Sequence, residues 1–308
     1  MRPPIDLPIM TAERKSVLVG LIGSGIDGSL TPSMHEREGD RQGLRYTYKR
    51  IDLAKLSLDQ KALPELLLAA ERLGFTGLNI THPCKQAVVS HLHELSDEAS
   101  RIGAVNTVLF RNGKRIGYNT DGRAFVDSFR NQLGDAPHRS VVLMGAGGAG
   151  TAIAHSLLNT LDTSLIILDE DPQRAEALAA RLNESFGARK AQTAKVLEDV
   201  IARADGFINA TPVGMEHSPG SVLPRDLIRR ELWIADIVYF PLDTALLKAA
   251  RSRGCRVMDG GGMAVRQAAA AFTIFSGCNA DVTKMQEHFK ELIEAVPREH
   301  RRAVGAAE

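Results

Sequence analysis

The chain has 308 residues, 44% hydrophobic and 24% charged, enough to bury the cores of two domains. Its 38 Lys plus Arg against 37 Asp plus Glu leave a formal net charge of +1, so there is no electrostatic reason to expect nucleic acid or a membrane surface as partner. Three scattered cysteines without C-x-x-C argue against a disulfide framework or a structural zinc site. The absence of a long apolar run, or of a signal-like stretch in residues 1–15, makes the cytoplasm the expected compartment.

In chain order, residues 16–22 (SVLVGLI) read as a buried strand, and 23–32 as a Gly- and Ser-rich loop. A helix is expected over 34–42, a strand over 46–53, a leucine-spaced helix over 63–73 and a strand over 77–80, ended by Thr81-His82-Pro83. A helix over 86–92 and a hairpin over 106–118, turning at Asn112-Gly113, lead to a helix over 121–133. After a polar connection the pattern restarts. Strands are expected at 141–144, 165–168, 206–210 and 233–238, with helices over 174–184 and 244–253. Helices over 266–275 and 282–294 precede a charged tail at 297–308 that reads as disordered. Repeated strand–helix alternation argues for parallel sheets covered by helices. The break near 119–140 divides it in two, so the expected class is α/β with two domains.

Gly145-Ala146-Gly147-Gly148-Ala149-Gly150 fits G-x-G-x-x-G between an apolar strand and an apolar helix containing Ile153, Leu157 and Leu158, the context a dinucleotide site needs. Gly145 suits the tight turn, Gly147 the approach of a pyrophosphate, and Gly150 close helix–strand packing. The bland reading is a glycine turn without a ligand. Asp169 stands about 20 residues beyond the glycines, where a carboxylate binds ribose hydroxyls and repels a 2′-phosphate. No Arg or Lys occurs before Arg174, so NAD is favoured over NADP. Asp169 could instead cap the next helix, although Asp171 before Pro172 suits that role too.

Lys85 follows a strand and a turn, and Asp121 opens a helix. Such a pair can pass a proton to and from an alcohol. Singly, the lysine reads as a solvated charge and the aspartate as an N-cap. His91 and His93 lack further metal-ligand partners, Cys84 reads as packing, and Trp233 as core.

Ser29-Leu30-Thr31-Pro32, Asn79-Ile80-Thr81-His82-Pro83-Cys84-Lys85, Gly103-Ala104-Val105-Asn106-Thr107, Gly117-Tyr118-Asn119-Thr120-Asp121-Gly122, the glycine loop, Val238-Tyr239-Phe240-Pro241-Leu242, and Asp259-Gly260-Gly261-Gly262-Met263 with Gln267 occur in that order. Over about residues 17–290 the chain resembles the shikimate/quinate dehydrogenase family. The resemblance implies a substrate domain, 1–122 completed by 266–308, with an inserted Rossmann-type dinucleotide-binding domain, 123–265. It implies Lys85 as the catalytic lysine and Asp121 as its carboxylate. Ser29 and Thr31 would hold a substrate carboxylate with Tyr239 close by, and Thr81, Asn106 and Gln267 the ring hydroxyls. Gly145, Ala146, Gly147, Gly148, Ala149, Gly150, Asp169 and Gly262 would line the cofactor.

Two departures from the family's usual pattern are Thr31 in place of a second serine, and Asp169-Glu170-Asp171 in place of an N-R-T phosphate clamp. Both resemble the NAD-linked quinate/shikimate dehydrogenases. The expected partners are therefore NAD and a small cyclic acid (shikimate, quinate or a 3-dehydro form), in a monomer or homodimer. The rivals are an NADP-linked biosynthetic shikimate dehydrogenase and a non-catalytic NAD-binding sensor.

Overall fold

A computed structural model describes residues 14–216 and 218–295; the expectations for the first thirteen residues and for the 297–308 tail lie outside them. The first region comprises β1 (Ser16–Gly23), α1 (Thr31–Arg41), β2 (Arg45–Asp52), α2 (Leu63–Arg72), β3 (Gly77–Ile80), β4 (Glu94–Leu95), α3 (Asp97–Ile102), β5 (Thr107–Arg111) and β6 (Lys114–Tyr118). Its strands lie in the order β2-β1-β3-β5-β6-β4. β1 is parallel to β2 and β3, while β5 is antiparallel to β3 and β6. The β5–β6 hairpin turns at Asn112 (φ 52°) and Gly113 (φ 71°), the positive-φ pair that the Asn-Gly dipeptide favours. β1 is apolar on both faces because it is a central strand. Ile22, Leu78 and Ile80 meet Leu63 and Leu67 of α2 on one face. Val17, Val19 and Leu21 pack on the other.

The second region comprises α4 (Asp121–Leu133), β7 (Ser140–Met144), α5 (Gly148–Thr160), β8 (Ser164–Leu168), α6 (Pro172–Phe186), β9 (Ala191–Thr193), α7 (Leu197–Ile201), β10 (Gly206–Asn209), β11 (Trp233–Asp236), α8 (Ala245–Ser252) and β12 (Val257–Met258). All six strands are parallel, in the order β12-β11-β10-β7-β8-β9. That is the doubly wound order whose switch point falls between its first and fourth strands, here β7 and β10. Apolar side chains cover both faces, and Trp233 is buried edge-on to Phe129.

α9 (Gly261–Ser276) and α10 (Val282–Ala295) close the described chain. α9 begins five residues before the expected 266 because its glycines are packing positions rather than a loop. A Cβ on Gly262 would come within 3.1 Å of Ser128 Oγ on α4, and the Gly261 N–H is capped by Asp259 at 3.0 Å. Met263 joins the core of the second sheet, whereas Phe272 and Phe275 join that of the first. The expected domain limits at 122/123 and 265/266 thus fall inside α4 and α9. The expected helix over 86–92 is a 3-10 helix, Ala87–His91. No helix among the described residues is long and apolar enough to cross a membrane.

Candidate active site

The turn after β3 carries Lys85, whose carbonyl accepts the Val105 N–H at 2.8 Å, so the base of the side chain is tied to the segment before β5. Asp121 is the first residue of α4, where the helix dipole favours a carboxylate. Asn119 shapes this helix start: its Oδ1 accepts the Asp121 N–H at 3.0 Å while its Nδ2 donates to Ala104 O at 2.9 Å. Lys85 Nζ then lies 2.7 Å from Asp121 Oδ2, with side-chain exposures of 15% and 5%. The pair is largely withdrawn from water, yet its lysine remains reachable.

Asn106 lies behind the pair. Its Nδ2 donates to Asp121 Oδ1 at 2.9 Å and to Thr120 Oγ1 at 2.8 Å, and its Oδ1 accepts from Thr120 N–H and the Thr107 hydroxyl, both at 3.0 Å. Both amide hydrogens and both lone pairs are engaged inside the protein. Gln267 reaches the same corner through its backbone: its carbonyl accepts the Thr120 hydroxyl at 3.1 Å, while its Nε2 donates to Ala264 O of its own helix. Thr81 stands beside Gly23, where a Cβ would come within 2.2 Å of Thr81 Cγ2.

Ser29, Thr31 and Tyr239 meet at the start of α1. Burial pushes the Tyr239 phenol above its usual range, opposed by hydrogen bonds with Ser29 and Thr31 and by the nearby Arg50 guanidinium. Arg50 Nη2 donates to Ser29 O at 2.7 Å. Sequence reasoning missed Arg50, because in β2 (RYTYKRID) it reads as one of several solvent-facing charges.

On the cofactor side, Gly145 has φ +106°, and a Cβ on Gly150 would stand 1.9 Å from Gly145 O. At Gly147, the N-cap of α5, a Cβ would meet nothing within 4 Å. Only glycine suits the first two positions, and the third leaves open space at a helix N-terminus, so the loop fits a dinucleotide phosphate. Ala149 lies in the first turn of α5. Asp169 Oδ2 accepts the Ala146 N–H at 2.6 Å, and Oδ1 accepts the Asp171 N–H at 3.0 Å. Asp171, not Asp169, caps α6. Asp169 therefore belongs to the glycine-loop side. Gly262 lies against Ser128 and Gln132 of α4.

Asn209 and Asp236, also missed, end β10 and β11. Asn209 Nδ2 and the Val238 N–H donate to Asp236 Oδ1 at 2.9 and 3.1 Å, and the Thr244 hydroxyl donates to Oδ2 at 2.8 Å. Burial without a cation pushes the Asp236 carboxyl up to about 6. Cys84 is fully buried and its thiol is pushed up to about 11, which leaves it unreactive.

The family described as "Shikimate dehydrogenase substrate binding domain" matches residues 21–108. The chain is 49% identical over 288 residues to a "Shikimate dehydrogenase (NADP(+))" of Arthrobacter sp. (strain FB24), covering 93% of this chain and 98% of the relative. It is 46% identical over 281 residues to a "Quinate/shikimate dehydrogenase (NAD(+))" of Corynebacterium glutamicum (strain R), covering 90% and 99%. Among solved structures, quinate dehydrogenase from Corynebacterium glutamicum in complex with NAD superposes with a TM-score of 0.82 at 44% identity, covering 90% of this chain and all of that one.

Proposed function

Because the chain belongs to the shikimate dehydrogenase family, we propose that it is an NAD-dependent dehydrogenase interconverting shikimate, quinate or both with the corresponding 3-dehydro ketone. The observation that carries this reading is the Lys85–Asp121 pair, 2.7 Å apart and partly exposed, beside the start of α5. Bound at the 145–150 loop, a nicotinamide dinucleotide supplies the hydride acceptor. The protein does the rest. Lys85, as the neutral amine, takes the proton from the C3 hydroxyl during oxidation; the ammonium so formed, held by Asp121, returns it during reduction, and Asp121 also accepts a ring hydroxyl. Ser29, Thr31 and Tyr239 offer hydroxyls to the substrate carboxylate, and Arg50 adds positive potential at that end. Thr81, Asn106 and Gln267 border the ring. Asn106 has both amide hydrogens committed within the protein and Gln267 one of its two, so a ring hydroxyl meets Asp121 and Lys85 before Asn106.

The cofactor preference rests on Asp169. Relatives with NADP(+) in their names and relatives with NAD(+) in theirs lie at similar identity, 49% and 46%. The carboxylate at 169 supports NAD, because it is fixed beside the glycine loop, and Arg174, the first cation beyond it, is paired with Asp171 at 3.5 Å. Steady-state kinetics with shikimate and quinate, each against NAD and NADP, test the reading. Turnover fastest with NAD supports it. Turnover fastest with NADP makes the chain a biosynthetic-type shikimate dehydrogenase, and NAD binding without turnover makes it a sensor.

A further inference from the structure

Behind the site, three strands of the first sheet contribute buried polar side chains: Tyr48 from β2, Asn79 from β3 and Thr107 from β5. Tyr48 pairs in register with Val19, Asn79 with Leu21, and Asn79 lies directly opposite Thr107, so all three share one face. Nothing in the catalytic roles above uses them.

Their hydrogen bonds have a determinable direction. Asn79 Nδ2 lies 3.2 Å from the Asn106 carbonyl and 3.0 Å from Thr107 Oγ1. A carbonyl can only accept, so the amide orientation of Asn79 is fixed, and its Oδ1 takes the Tyr48 hydroxyl proton at 2.7 Å. Thr107 Oγ1, accepting from Asn79, sends its single proton to Asn106 Oδ1 at 3.0 Å. Asn106 Oδ1 also accepts the Thr120 N–H, which settles the Asn106 amide and turns its Nδ2 onto Asp121 Oδ1 at 2.9 Å. Every donor from Tyr48 onward points toward Asp121, and Lys85 closes the chain from the other side. At its far end Tyr48 senses both Arg50 and Tyr239, the groups at the substrate-carboxylate pole. The chain thus runs beneath the site from one pole to the other.

We propose that Tyr48, Asn79 and Thr107 are positioning residues, acting through Asn106 to hold Asp121 in register with Lys85. The inference rests on the assignment of Lys85 and Asp121 as the proton-transfer pair. Removing the Thr107 hydroxyl leaves Asn79 its Asn106 carbonyl and Asn106 its Thr120 partner. The fold therefore keeps most of its bonds while the amide that aims Asp121 loses one of the two donors that fix its Oδ1.

The test compares Thr107→Val, Thr107→Ser and Tyr48→Phe with the parent enzyme and with Lys85→Ala, by steady-state kinetics with NAD and either acid, beside thermal unfolding. Valine matches threonine in shape. Thr107→Val should lower kcat about tenfold with KM within about twofold, since a misaimed proton-transfer pair slows chemistry more than binding. Tyr48→Phe, two hydrogen bonds further away, should cost about threefold in kcat, and Thr107→Ser should stay within about twofold of the parent. A parent-like kcat in Thr107→Val, an equal loss in Thr107→Ser, or KM, kcat and melting temperature all falling together would overturn the relay. Should Thr107→Val fail to fold, Tyr48→Phe and Thr107→Ser decide by the same criteria. Full activity in Lys85→Ala would instead overturn the pair on which the relay acts.

Discussion

Gly148 and Lys85 are in contact: a Cβ built on Gly148 would stand 2.6 Å from Lys85 Cβ and 3.1 Å from its Cδ. The fourth residue of the glycine loop thus sets how closely the start of α5 approaches Lys85, the proposed proton-transfer residue. The lysine cannot simply retreat, because its carbonyl is bonded to Val105.

Gly148→Ala should therefore displace the Lys85 stem. Displacements near 1 Å at a reacting group can cost on the order of 10²-fold in rate, so kcat should fall at least tenfold. Cofactor affinity, read by fluorescence titration, should change less. A kcat equal to the parent's would show that the two segments separate freely.

Asp236 links stability to pH. Burial raises its carboxyl from 3.8 to about 6, so the folded chain binds this proton more tightly than the unfolded chain. Stability contributed here is full below about pH 4, declines as pH rises through that window, and is lowest above about pH 6. The span is on the order of 3 kcal/mol. Asp236→Asn keeps an acceptor for Asn209 and Val238, and its amide can donate to Thr244 Oγ1. In urea unfolding at pH 4.5 and 7.5, the variant should gain on the parent at the higher pH. A pH-independent difference would mean that another group titrates.

Thr31 sits beside Tyr239 at the proposed carboxylate pole, and its methyl group restricts where its hydroxyl points. Quinate adds a C1 hydroxyl there, and leaving a buried polar group unpaired costs about 1–3 kcal/mol. Thr31→Ser should lower kcat/KM for quinate more than for shikimate. An equal effect on both acids would detach Thr31 from substrate breadth.

Asp169 should make NAD the better cofactor by at least tenfold in kcat/KM, about 1.4 kcal/mol. Asp169→Ala combined with Glu170→Arg should move the preference toward NADP. Because Asp169 also holds the Ala146 N–H, some loss with NAD is expected in that variant. Equal efficiency of the parent with both cofactors would dismiss the ribose-carboxylate assignment.

The glycine loop was legible in the sequence because each of its positions obeys a local constraint, a positive φ at 145 and a close approach at 150. Asp121 and Lys85 were legible only through the family resemblance, since no local rule joins positions 36 apart in the chain. Tyr48 and Asn79 were invisible as site neighbours. Strand alternation announces that β2 is half-buried, but only the β2-β1-β3-β5 order reveals which buried polar groups meet. The start of α9 is hidden in the sequence because Gly260-Gly261-Gly262 reads as a breaker, whereas the crossing with α4 demands small residues there. β9 and α7, three and five residues long, are too short to display a period.

Whether Lys85 moves the substrate proton is decided by the kinetics of Lys85→Ala. With NAD and shikimate or quinate, kcat should fall by about 10²-fold or more, the scale of a general acid–base group, while KM for the acid changes much less. A raised KM with kcat intact would make Lys85 a binding group instead.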